Sequence, residues 1–161
     1  MPEIYPVGMA ELRIAREPDV LAAYGIGSCV IVAMYDPKSR IGGMSHIMLP
    51  ESTAVRQENV NPRKFADTAV PLLFQALSHA GVYKSSIWAK VIGGAEMFPA
   101  TEDFKGTIGE KNTKASLIAL QSLGIPVIGK EVGGLSGRSM EMDLSTGRIA
   151  LSVLGKSDKE I

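Results

Sequence analysis

The apolar positions of the chain fall into short buried runs and longer helical stripes. Cys29-Val30-Ile31-Val32-Ala33-Met34-Tyr35 is an unbroken, largely β-branched run with glycines before it and Asp36-Pro37 after it, which predicts a buried strand. Ile41 to Leu49, ended by Pro50, predicts a second strand, and Asp36 and Pro37 at the first two positions of a type I turn join the pair as a β-hairpin. Leu12, Ile14, Val20 and Leu21 suggest an early strand between Glu11 and Tyr24, whereas residues 51–61 are polar and loop-like. Phe65, Ala69, Leu72, Leu73, Ala76, Leu77 and Ala80 then recur at helical spacing. Asn61 is placed as N-cap, Pro62 as first helical residue and Gly81 as the closing glycine. Pro71 inside this stripe predicts a kink or a break.

Further on, Ile87–Ile92 reads as a strand ended by Gly93-Gly94, and a loop runs from Phe98 to Gly106. A second helix is expected from about Gly109 to Leu123, ended by Gly124. Residues 126–128, 139–144 and 148–153 supply further strands, the last two as a hairpin across Ser145-Thr146-Gly147. Residues 156–161 form a polar tail expected to fray. Two helices among many strands predict an α+β protein: one layered sandwich of mixed or antiparallel β-sheet with two main α-helices, a single domain over residues 1–161.

Composition narrows the function classes. Seventeen basic residues balance seventeen acidic ones, so nothing calls for nucleic acid or an anionic membrane as partner. The single cysteine forms no intrachain disulfide and suits a reducing compartment as a free thiol. Met1 to Tyr5 lacks a signal-peptide pattern, and no apolar stretch approaches the ~20 residues of a membrane span, so a cytoplasmic protein is expected.

Taken alone, Cys29 reads as a small core residue. Two neighbours change that. Gly25-Ile26-Gly27-Ser28 precedes it, and a glycine turn of this kind lets backbone N–H groups converge as an oxyanion hole. The hairpin also brings His46 close. With Pro37 and Lys38 as the two central turn residues, Asp36 pairs with Ser39, and the same register sets Cys29 directly opposite His46. A bulge at Gly42-Gly43 or a longer loop would alter that register, and a slip of one residue would separate the two faces. Histidine suits both removal of a thiol proton and its later return. His79, near the end of the first helical stripe, is read as structural. One cysteine and two histidines at unrelated spacings make no zinc site, and neither a dinucleotide nor a phosphate-loop fingerprint is present. Met44 and Met48 are candidates for lining an apolar pocket beside His46.

The blocks Gly25-Ile26-Gly27-Ser28-Cys29-Val30 and Gly43-Met44-Ser45-His46-Ile47-Met48-Leu49-Pro50 resemble the signature of the CheD family. The likeness continues through Lys90–Phe98, Ile108–Asn112, Gly133-Gly134 and Gly137-Arg138. The resemblance implies a deamidase that converts glutamines of methyl-accepting chemoreceptors to glutamates. It also implies binding of CheC, a phosphatase of the CheY response regulator, and a fold related to the catalytic domain of a deamidating bacterial toxin, the cytotoxic necrotising factor. Cys29 and His46 take the family's catalytic positions, with Gly27 and Ser28 beside the oxyanion site. The resemblance further implies a threonine six residues before the cysteine to orient the histidine. Ala23 stands there instead, so that role passes to a backbone carbonyl or to a hydroxyl of Ser45 or Tyr24, or activity is reduced.

The mechanism expected is acyl transfer through a Cys29 thioester with His46 as acid and base, without metal or cofactor. The alternative is an adaptor, non-catalytic or weakly catalytic, that binds CheC and receptor. A general cysteine hydrolase of peptidase or transglutaminase type is a third option.

Overall fold

A computed structural model of the protein describes residues 1–52, 60–97, 106–153 and 155–161. The expected loops at 51–61 and 98–106 therefore lie largely outside the described residues. Among the described residues ten strands and two α-helices form three layers. One sheet has the order β1 (Ile4–Pro6), β3 (Val20–Ile26), β8 (Arg138–Asp143), β9 (Ile149–Val153), β10 (Lys159–Glu160). The other has the order β2 (Leu12–Arg16), β5 (Ile41–Ile47), β4 (Val30–Asp36), β6 (Trp88–Gly93), β7 (Val127–Val132). Both are mixed: β1 lies parallel to β3 and β6 parallel to β7, and the other pairs are antiparallel. The helices α1 (Ala66–His79) and α2 (Ile108–Leu123) cover the second sheet. The fold class is α+β, as the pattern of elements predicted.

The central position of the second sheet explains its sequence. Every residue of β4 and β5 is buried, because one face meets the first sheet and the other meets the helices. Val30, Val32, Met34, Ile41 and Ile47 pack under Val70, Leu73, Leu77 and Leu120 of the helices. Ile31, Ala33, Tyr35 and Met44 pack between the sheets against Leu21, Ala23, Met140, Met142 and Leu151. Met44 is thus a sheet-to-sheet core residue rather than a pocket wall.

Several boundaries differ from the sequence expectation. The early apolar segment is two strands in different sheets, since Arg16 to Val20 carries the chain from one layer to the other. Asn61 caps a 3-10 turn over Pro62–Lys64, and the α-helix itself starts at Ala66. Pro71 does not end that helix: it lies on the exposed face, where water can meet the carbonyl it leaves unbonded. The tail expected to fray is paired: Lys159 and Glu160 align with Leu151 and Ala150, and Lys90 Nζ donates to the carbonyls of Gly147 and Ile161.

The β4–β5 hairpin is the consequential correction. Its loop has four residues, Pro37 to Arg40, closed by Arg40 N–H to the Asp36 carbonyl at 2.9 Å. Asp36 also accepts from Lys38 N–H and the Ser39 hydroxyl, and Arg40 turns through the left-handed region at φ 55°. Asp36 therefore pairs with Ile41, and Ile31, not Cys29, faces His46. The ladder runs unbroken through Gly42 and Gly43, so neither hosts a bulge. These glycines are there for close approach instead. A Cβ on Gly43 would lie 2.7 Å from Leu73 Cδ1, 2.9 Å from Ile14 Cγ2 and 3.0 Å from the Arg13 carbonyl. Gly43→Ala is accordingly expected to lower stability by about 1–3 kcal/mol through overpacking. A urea-unfolding midpoint equal to that of the parent protein would contradict this.

Candidate active site

The corrected register keeps Cys29 and His46 on one face. It shifts the pairing by two residues, and side chains alternate with a period of two, so the shift changes the separation and not the side. Cys29 stands one residue before β4, diagonally across from His46, at a spacing of roughly 7–8 Å for strand partners of this kind. Both side chains point between the sheets. His46 is 3% exposed, and Cys29 is half-buried against the inter-sheet core.

His46 is oriented by backbone. Its Nδ1 lies 3.0 Å from the Val7 carbonyl oxygen. A carbonyl can only accept, so Nδ1 carries the proton and Nε2 presents its lone pair. Among the described residues no hydrogen bond joins the ring to Cys29. The Val7 segment is itself fixed: Val7 N–H donates to the Ala22 carbonyl, and Gly8 N–H donates to the Glu11 carboxylate at 3.1 Å. Backbone bonds from Ala10 N–H to the His46 carbonyl and from His46 N–H to the Glu11 carbonyl tie the same segment to β5.

The residues proposed from sequence to orient the ring do not do so. Ser45 is fully buried, but as the neighbour of His46 on a strand it faces the helix layer, and its Oγ has no partner among the described residues. Tyr24 is exposed, with its hydroxyl 3.5 Å from Glu141. Ala23 is a methyl group in the inter-sheet core. A main-chain acceptor such as Val7 has no residue signature, so sequence reasoning could allow for a carbonyl without saying which.

The turn before Cys29 is held by three consecutive carbonyls. Gly27 C=O accepts from Ala95 N–H at 2.9 Å, and Cys29 C=O from Gly94 N–H at 2.7 Å. Between them, Ser28 C=O accepts from Asn112 Nδ2 at 2.9 Å. Peptide units here are planar and trans, so each N–H points away from its carbonyl. The N–H groups of Ser28 and Cys29 therefore point away from the donors that hold the Gly27 and Ser28 carbonyls, with which they share peptide units. Neither donates to any group among the described residues. Gly93, at φ 110°, makes the contact possible, because a Cβ there would overlap the Cys29 carbonyl oxygen. Met97, about half exposed, packs over Gly27.

Burial sets the electrostatics. It pushes the Cys29 thiol above its usual 9.0. It pushes His46 below its usual 6.5, although the Val7 carbonyl and the Glu11 charge pull partly the other way. Thiol and imidazole are thus both neutral around pH 7. A cleft of about 760 Å³ along α1, lined by Pro62, Pro71, Phe74 and His79 among others, holds neither residue.

Comparison with known proteins adds the family. Residues 48–153 match the family described as CheD chemotactic sensory transduction. The chain belongs to the CheD family. The matched span begins just after His46, so this assignment does not depend on the Cys29–His46 pair. Similarity also extends over almost the full length of individual relatives. The chain is 41% identical over 156 residues to a protein of Clostridium botulinum (strain Hall) named probable chemoreceptor glutamine deamidase CheD, covering 96% of each chain. It is 38% identical over 162 residues to the chemoreceptor glutamine deamidase CheD of Halalkalibacterium halodurans, covering the whole of both. Among the described residues no helix is long and apolar enough to cross a membrane.

The electrostatics of this CheD-family site predict how the thiol reacts. Iodoacetamide alkylation of Cys29 should be slow at pH 7 and rise with a midpoint above 9.0. A midpoint near 6 would instead reveal a preformed thiolate–imidazolium pair.

Proposed function

We propose that this protein is a cytoplasmic protein-glutamine deamidase acting on methyl-accepting chemoreceptors, with Cys29 as nucleophile and His46 as acid and base. The single observation that carries the chemistry is the placement of a half-buried thiol on one face with an imidazole whose Nδ1 is committed to Val7. The names of the relatives carry the substrate class.

The neutral resting pair gives a definite order of events. As Cys29 Sγ attacks the carboxamide carbon of a receptor glutamine, His46 Nε2 takes the thiol proton. The carbonyl oxygen becomes an oxyanion facing the N–H groups of Ser28 and Cys29, which donate to nothing among the described residues. Protonated His46 gives its proton to the departing nitrogen, the C–N bond breaks, and ammonia leaves a thioester. His46 then deprotonates a water molecule that attacks the thioester carbon. The C–S bond breaks, the thiol is restored, and the side chain is released as glutamate. The resting geometry is longer than a hydrogen bond, as is common before substrate draws the groups together. No step requires a metal or cofactor.

Family likeness also supports a CheC-type phosphatase of CheY as a binding partner. In the adaptor reading that binding would be the main activity. Replacement of the expected threonine by Ala23 favours it, and the Val7 carbonyl on His46 counts against it.

Two outcomes are expected. Cys29→Ala and His46→Ala should each lower ammonia release from a receptor cytoplasmic fragment by at least about 10³-fold. Mass spectrometry of the receptor should then lose the Gln-to-Glu conversion. Full activity in either variant would sink the mechanism. The acid limb of kcat/KM should lie below pH 6.5, because activity is lost only when His46 becomes protonated and burial lowers the pH at which this happens. An acid limb above pH 7 would contradict a buried general base.

A further inference from the structure

Asn112 is a fully buried polar side chain at the start of the second turn of α2, far in sequence from both reacting residues. Its Nδ2 donates to Ser28 C=O and to Met48 C=O, both at 2.9 Å. One amide therefore bridges the peptide before the nucleophile and the chain just beyond His46. The orientation of the amide is fixed by its partners, since the opposite flip would set Oδ1 against two carbonyl oxygens. Oδ1 itself is buried without a partner among the described residues. An apolar residue of the same size would fill the space without that orphaned acceptor, so packing alone is a poor account of an asparagine here.

The position of the bridge matters. Strands β4 and β5 pair from Val30 with Ile47 to Asp36 with Ile41. Ser28, Cys29 and Met48 lie just outside that ladder, where sheet hydrogen bonds no longer fix the distance between the chains. Asn112 spans the gap. Ser28 C=O and Cys29 N–H belong to one rigid peptide unit, so holding the carbonyl also aims the N–H.

We propose that Asn112 is a positioning residue for deamidation: it aims the Cys29 N–H at the oxyanion and holds the nucleophile turn in register with the His46 strand. The proposal rests on the Cys29–His46 reading above. It separates two chemistries at one sulfur. Attack on a carboxamide needs an aimed oxyanion donor, whereas alkylation by iodoacetamide forms no oxyanion.

The test compares Asn112→Ala and Asn112→Ser with the parent protein, using a receptor cytoplasmic fragment and iodoacetamide. Loss of an aimed donor should lower kcat by roughly 10²-fold with KM within about threefold. The alkylation rate at pH 10 should stay within about threefold of the parent. Asn112→Ser is the milder change and keeps the measurement open if the alanine variant folds poorly. The proposal is overturned if kcat is retained in either folded variant. It is equally overturned if kcat and alkylation fall together, because that pattern belongs to a general collapse of the turn. Cys29→Ala measured alongside keeps the two readings apart: ammonia release from that variant would refute the nucleophile itself, whatever Asn112 does.

Discussion

The site depends on three carbonyl oxygens. Those of Gly27, Ser28 and Cys29 are each held by a donor from elsewhere: Ala95 N–H, the Asn112 amide and Gly94 N–H. A glycine-rich turn left to itself would sample many conformations, and ordering each residue costs roughly 1–2 kcal/mol. Here the end of β6 and the first turns of α2 supply the order. With all three carbonyls held, the N–H groups of Ser28 and Cys29 donate to nothing among the described residues. The close approach this requires accounts for glycines that carry no chemistry. A Cβ on Gly93 would strike the Cys29 carbonyl, and one on Gly109 would strike the carbonyls of Gly94 and Ala95.

That dependence explains which features the sequence made legible. The β-branched run, the glycines before it and a single histidine on the next strand identified Cys29 and His46, because local pattern and residue chemistry both mark them. The register was wrong by two residues, because nothing in Pro37-Lys38-Ser39-Arg40 announces that Arg40 takes a left-handed conformation. The pair survived the error through the parity of strand side chains. Asn112 is legible only as part of a family block, since its partners lie 84 and 64 residues away and no periodicity connects them. Layering was legible from two helices among many strands. The division of the early strands between the sheets was not, because nothing local in the short strands β2 and β3 says which neighbouring strand each will meet.

Burial shapes the chemistry of this pair in a particular way. A thiolate beside an imidazolium would place two charges next to an apolar core of Ile31, Met44 and Ile92, and desolvation opposes both. In the proposed mechanism the proton therefore stays on sulfur until substrate arrives. On that proposal charge develops facing the N–H groups of Ser28 and Cys29, which donate to nothing among the described residues, so the charge separation is delayed to the step that has donors ready for it. An unprimed thiol is also less open to oxidation and stray alkylation.

His46 is oriented by main chain rather than by a side chain. A threonine at position 23 would have projected from β3 into the inter-sheet core, where Ala23 now lies beside Val7 in the same cluster. Strand β3 still reaches the imidazole, but through main chain. The Ala22 carbonyl accepts from Val7 N–H at 2.8 Å, and the Val7 carbonyl accepts from Nδ1 of His46. The peptide unit that supplies this carbonyl also contains Gly8 N–H, which donates to the Glu11 carboxylate. A negative charge at the N–H end of a peptide polarises its carbonyl end and strengthens the bond to an imidazole that is gaining charge. Solvent screening keeps that contribution small, because Glu11 is exposed. The geometric part does not depend on charge. His46 sits in a backbone frame made by β1, β3 and the Val7–Glu11 segment, and the side chain of Ala23 supplies none of its hydrogen bonds.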